Sequence, residues 1–200
     1  MDPIVFLPGA GGRASFWRPV ADRVADLGRT IVIGWPGFGD TTADPAIDSL
    51  DALYRWLCQQ LPPGKVHVVA QSMGGVLGAR LALEETSRVA SLCLCATSGG
   101  VNMAALGGED WRPTFRAELP DVPDWFVIDR TDLTDRLGQI AARTLILVGD
   151  ADPISRTAVG NFLRERMPHA RLERIAGGQH DFAHAYPGLV ATLLRRHLRP

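Results

Sequence analysis

Lysine is almost missing from this 200-residue chain: Lys65 stands alone among 21 basic side chains, and the rest are arginines. The arginines are scattered singly, apart from the pair Arg195-Arg196 near the carboxyl end, where a helix dipole favours cations. With 22 acidic residues and a formal net charge of −1, the composition argues against nucleic acid as the main partner. Cysteine is scarce too. Three is an odd number and suggests no disulfide scaffold. Cys93 and Cys95 would lie about 6.6 Å apart on one strand, with no turn to bring the sulfurs together, so they read as reduced core residues. Cys58 or another is left as the candidate for a reactive thiol. No apolar run nears the roughly 18 residues that a membrane span needs. The amino end, MDPIVFLPG, shows no basic start followed by a long apolar stretch, which points to a cytoplasmic protein with no membrane partner. Close Cys and His ligand spacings are absent, Gly9-Ala10-Gly11-Gly12 does not complete the G-x-G-x-x-G dinucleotide pattern, and no P-loop occurs. Neither a metal nor a cofactor is expected.

What remains is an ordinary globular composition, 46% apolar and 22% charged, without internal repeats or low-complexity tracts. The length suits one domain spanning 1–200, large enough for a sheet covered on both faces and too short for a second full domain. Apolar runs bounded by turn residues predict strands at 4–7, 30–34, 66–70, 89–96, 145–149 and 171–175. Helical spacing predicts helices at 15–27, 47–61, from about 74 to 85, at 158–167 and at 187–198. Strands alternating with helices imply an α/β fold, a mostly parallel sheet of about six strands wrapped on both faces. One stretch, about 97–139, breaks the alternation. It has no clean period and far exceeds the usual connection of about 4 to 6 residues, so it reads as a short lid insertion above the carboxyl ends of the strands. Its aromatic residues Trp111, Phe115, Trp125 and Phe126 predict an element that packs on something.

The segment 65–75, KVHVVAQSMGG, is the centre of the argument. A strand buried on both faces runs into a helix, and Ser72 stands at the corner. On its own, a serine there is an N-cap. A sharp strand-to-helix corner with only small neighbours, here Ala70, Gly74 and Gly75, also holds a hydroxyl in the open beside the N–H groups of the following helix. Ala70-Gln71-Ser72-Met73-Gly74 resembles the G-x-S-x-G nucleophile elbow of the α/β-hydrolases, with alanine at the first glycine.

That resemblance extends over almost the whole chain and is least in the lid, and it implies a sheet lacking the family's first two strands. It further implies a Ser-His-Asp triad with a pair of N–H donors for the carbonyl oxygen. The histidine would be His180, in the glycine-rich turn IAGGQHDF after the last strand, with His184 as the fallback; His67, His169 and His197 read as structural or surface residues. The acid would be Asp152, in the Gly149-Asp150-Ala151-Asp152 turn, with Asp150 a turn residue. The oxyanion donors would be Met73, directly after the serine, and Ala10, in the loop Pro8-Gly9-Ala10 where relatives often carry His-Gly. The loop Pro36-Gly37-Phe38-Gly39-Asp40 resembles a structural signature of the family, and Phe16, Trp17 and Phe38 are pocket-wall or core residues.

The expected activity is therefore hydrolysis of small to medium carboxylic esters or thioesters through an acyl-enzyme, with a small-molecule substrate and no cofactor. Lyase chemistry, carbon–carbon bond hydrolysis or perhydrolysis on the same triad, and a non-catalytic ligand-binding member of the fold, are the alternatives. Between Glu109 and Arg136 carboxylates outnumber arginines, and such an acidic rim would repel polyanionic substrates and acidic carrier proteins.

Overall fold

The computed structural model describes residues 1–39 and 41–199; Asp40, the last residue of the expected signature loop, lies outside them. In chain order the elements are β1 (Ile4–Leu7), α1 (Arg18–Ala21), β2 (Thr30–Val32), α2 (Leu50–Gln60), β3 (Val66–Gln71), α3 (Met73–Glu84) and β4 (Val89–Cys95). Then follow α4 (Arg112–Glu118), α5 (Trp125–Ile128), β5 (Arg143–Gly149), α6 (Thr157–Arg166), β6 (Ala170–Ile175), α7 (Phe182–Ala185) and α8 (Pro187–Leu198). The six strands form one sheet in the order β2-β1-β3-β4-β5-β6, with every neighbouring pair parallel.

The strand runs are apolar at successive positions because both faces are covered. Val5, Val68, Leu92 and Ile146 point into a core shared with α2, α3 and α6. Their chain neighbours Phe6, Val69, Cys93 and Leu147 point into a second core, shared with α1 and α8. Leaving β1 the chain turns to one edge to make β2, and leaving β3 it turns the other way to make β4. The loops after these adjacent strands therefore diverge, which opens a crevice at their carboxyl ends, the usual ligand position in such sheets.

One expectation needs revision. The helix expected at 15–27 is broken into 3₁₀ turns at Ala14–Phe16 and Asp22–Leu27 around the single α-turn of α1. Pro19 has no N–H to give to the carbonyl of residue 15, so the first turn cannot continue into the second. The packed element expected from the aromatics of 97–139 is present, as α4, α5 and 3₁₀ turns at Ala104–Leu106 and Thr134–Gln139. They are held by aromatic contacts instead of a helical stripe. Trp111 stacks on Phe126 with ring centroids 5.0 Å apart, and Trp125 meets Phe38 edge-on at 5.5 Å. Among the described residues no helix is long and apolar enough to cross a membrane.

Candidate active site

At Ser72 the backbone takes φ 51° and ψ −118°. This is a conformation that side-chain-bearing residues avoid, at about 1 to 3 kcal/mol, and it must be held by its surroundings. The Ser72 N–H donates to the Cys95 carbonyl at 3.1 Å, and the Ser72 carbonyl accepts from the Gly75 N–H at 2.9 Å and from the Thr97 hydroxyl at 2.6 Å. The glycines are obligatory at this corner. A Cβ at position 74 would stand 2.4 Å from the Pro8 carbonyl oxygen, and one at 75 would stand 2.3 Å from Thr97 Oγ1. The alanine that replaces the first glycine of the elbow is tolerated because it faces Gly78 of α3, where an added Cβ would come 3.0 Å from the Ala70 Cβ. The Ser72 side chain does not cap α3. Its Oγ lies 3.1 Å from His180 Nε2.

His180 is carried by the turn after β6, and Asp152 by the turn after β5. These two turns touch backbone to backbone: the Ala151 N–H donates to the Gly178 carbonyl at 3.1 Å, and a Cβ on Gly149 would lie 2.1 Å from that same oxygen. Asp150, the expected turn residue, accepts the Gly177 N–H on its carboxylate at 2.7 Å. Asp152 is fully enclosed. Its Oδ1 accepts from the N–H groups of Ile154 at 2.8 Å and Ser155 at 3.1 Å, which aims Oδ2 at His180 Nδ1, 2.9 Å away. A carboxylate oxygen can only accept, so Nδ1 carries the proton and Nε2 presents its lone pair to the serine hydroxyl. The imidazole is a quarter exposed and opens towards solvent.

Ala10 and Met73 line the same cleft as Ser72 and His180. Met73 is the first residue of α3, where helix N–H groups have no partner within the helix. The loop bearing Ala10 is pinned by its carbonyls: the Trp17 indole donates to Leu7 O at 2.9 Å, the Trp35 indole to Pro8 O at 3.0 Å, and the Gly12 N–H to Gly9 O at 3.0 Å. The cleft measures about 1430 Å³, beyond the roughly 300 to 1,000 Å³ of a typical small-molecule pocket. Trp111, Phe115 and Phe126 wall it on one side, and Phe16 on another. Trp17 and Phe38, possible walls by sequence, are wholly buried core residues instead.

The other histidines lie elsewhere. His184 sits at the rim, hydrogen-bonded through Nδ1 to Phe16 O at 3.1 Å and stacked on the Phe16 ring. His67 meets Ser91 Oγ at 2.8 Å, His169 is exposed, and His197 is buried with Nε2–H donating to Leu92 O at 2.9 Å. Burial pushes His197 down to about 4, and His67 is also lowered by burial. All three cysteines are free, and burial raises the Cys58 thiol, which makes it a poor nucleophile. Among the described residues no group of three or more His, Cys, Asp or Glu side chains could hold a metal ion. Sequence reading passed over Thr97 and Gln71, whose bonds reach across the elbow; a polar side chain ending an apolar strand was the one visible sign of the latter.

A model of the alpha/beta hydrolase fold matches residues 2–136. A protein of Azorhizobium caulinodans named as a carbamate hydrolase, RutD, is 23% identical over an alignment of 239 positions, gaps included, which takes in 96% of this chain and 89% of that protein. The pimeloyl-(acyl-carrier protein) methyl ester esterase of Nitrosomonas europaea is 24% identical over an alignment of 215 positions, gaps included, which takes in 84% of each chain. Among solved structures, a thermophilic esterase from Thermogutta terrifontis has the same fold with a TM-score of 0.81 at 21% identity, over 100% of this chain and 90% of the other.

Proposed function

The chain belongs to the alpha/beta hydrolase fold family, and on that premise we propose that it is a serine hydrolase cleaving carboxylic esters or thioesters of small to medium size through an acyl-enzyme. The observation that carries this reading is the continuous line from Asp152 Oδ2 through the His180 ring to Ser72 Oγ, with contacts of 2.9 and 3.1 Å. His180 Nε2 takes the hydroxyl proton as Oγ attacks the substrate carbonyl carbon, and Asp152 holds the ring and balances the charge of the imidazolium. The N–H groups of Ala10 and Met73 receive the oxyanion, each such donor contributing about 2.7 to 4 kcal/mol by precedent. The imidazolium returns its proton to the leaving alcohol or thiol, and water then repeats the sequence on the acyl-enzyme.

Residues 97–139 act as a lid, and the aromatic side of the cleft takes the apolar part of the substrate. The curated relative from Nitrosomonas europaea carries an acyl-carrier-protein ester in its name. The excess of carboxylates over arginines between Glu109 and Arg136 favours a free small molecule here. The deciding experiment pairs a fluorophosphonate probe with a panel of p-nitrophenyl esters and acyl thioesters. Wild-type protein is expected to be labelled and to turn over esters; Ser72→Ala is expected to take no label and to lose several orders of magnitude in rate. Equal labelling and turnover in the variant would remove Ser72 as the nucleophile. An unlabelled wild type with no ester turnover would favour the lyase or ligand-binding alternatives.

A further inference from the structure

We propose that Gln71 is a positioning residue for the base, tying the turn that carries His180 to the end of β3; the inference rests on the triad proposed above. Gln71 is the last residue of β3 and is 5% exposed, yet it is an amide in a strand whose other fully buried positions are apolar. Burying a glutamine side chain costs about 1.5 to 2 kcal/mol in lost rotamer freedom, and more where its amide goes unpartnered. An apolar side chain would serve the core better. What the amide does instead is donate from Nε2 to the main-chain carbonyl of His180, at 3.3 Å. Its Oε1 end lies against Gly9, where an added Cβ would stand 2.2 Å away. One side chain therefore sits between the loops that follow β1 and β6.

The His180 turn needs such an anchor. It contains Gly177 at φ 66° and closes on itself through Gly178 N–H to Ile175 O at 3.0 Å and Phe182 N–H to Gln179 O at 3.1 Å, but neither bond uses a backbone group of His180. Its earlier residues are tied by the Gly177 bond to Asp150 and the Gly178 bond to Ala151. His180 itself is tied by its ring and by Gln71. Of the ring contacts, the one to Ser72 disappears once Oγ is acylated, because the ester oxygen has no hydrogen to share. The ring must nevertheless be in place to take a proton from water. The Gln71 bond holds the histidine backbone through that stage, so its loss should slow release of the acyl group more than acylation.

The test uses Gln71→Met, which keeps length without a donor, and Gln71→Glu, which keeps shape but turns an acceptor towards the His180 carbonyl. With p-nitrophenyl acetate, kcat is expected to fall about tenfold in both variants, the scale of one lost hydrogen bond. KM should fall with it, and a pre-steady-state burst of p-nitrophenol should appear or grow as acyl-enzyme accumulates. Tm measurements on both variants show that the protein remains folded. A kcat within twofold of wild type in both variants, or a raised KM with unchanged kcat, overturns the inference. Fluorophosphonate labelling of wild type and not of Ser72→Ala separates the two levels. If Ser72 is labelled while the Gln71 variants keep their kcat, only the positioning role falls; if wild type is not labelled at Ser72, the triad reading falls and this inference with it.

Discussion

Replacing Asp152 by asparagine preserves shape and changes one thing, and the structure dictates the outcome. The Oδ1 position receives two backbone N–H groups, from Ile154 and Ser155, and the Oδ2 position receives one ring N–H. The amide that replaces the carboxylate must place its oxygen at one of these and its NH2 at the other. Turning the NH2 towards the backbone would set donors against two buried N–H groups, each costing about 1 to 3 kcal/mol, against one such conflict at the histidine. The oxygen therefore stays with Ile154 and Ser155, and the NH2 faces His180. The imidazole relieves that conflict by moving its proton: Nδ1 becomes the acceptor, and Nε2–H points at Ser72, where it can no longer take a proton. The expected loss in kcat is about 10⁴-fold, or about 5 kcal/mol of barrier, as for the same tautomer error in other serine hydrolases. Stability should hardly change, because both backbone bonds survive. The assay is ester hydrolysis alongside thermal melting, with Asp150→Asn as the comparison, since Asp150 bonds Gly177 and not the imidazole. The reasoning is refuted if Asp152→Asn keeps kcat within tenfold of wild type, or if Asp150→Asn proves the more damaging of the two.

Two further perturbations probe the scaffold. Gly75→Ala would force a Cβ to 2.3 Å from Thr97 Oγ1, and overpacking of this kind costs about 1 to 3 kcal/mol; a lower urea midpoint and reduced kcat are expected, with Gly188→Ala, where the space is open, as the harmless control. His197 binds protons in the unfolded chain near 6.5 but only at about 4 when folded. The unfolded state therefore takes up more protons between those values, so stability is complete above about 6.5 and declines as pH falls towards 4, by up to ~3 kcal/mol. Urea unfolding at pH 7.5 and pH 5 measures this, and His197→Gln, whose amide can still donate to Leu92 O without titrating, should flatten the dependence.

The sequence exposed those features that depend on neighbours in the chain. β1, β3 and α8 lie where apolar runs, small residues and Pro187 place them, because burial on both sides of a parallel sheet leaves continuous apolar runs. Ser72, Asp152 and His180 stood out because each follows a strand in a short turn rich in small residues, and the sheet order then brings those turns together. Contacts set by register were hidden. Gln71 and His180 are 109 positions apart and Thr97 and Ser72 are 25 apart, and only the side-by-side placement of strand ends joins them. The bounds of α4 and α5 were hidden for another reason: both are short, 7 and 4 residues, and Trp111, Phe115 and Phe126 hold them by a cluster of rings drawn from both elements.

The contact between Gly149 and Gly178 leaves no room for a side chain at either of these two positions. The turns that carry Asp152 and His180 consequently share one mechanical mounting, and neither can be lengthened, swapped or given a larger residue at this contact without tilting the other. Anyone recasting this protein for new chemistry should transplant both turns as a matched pair, and can redesign the aromatic side of the cleft separately.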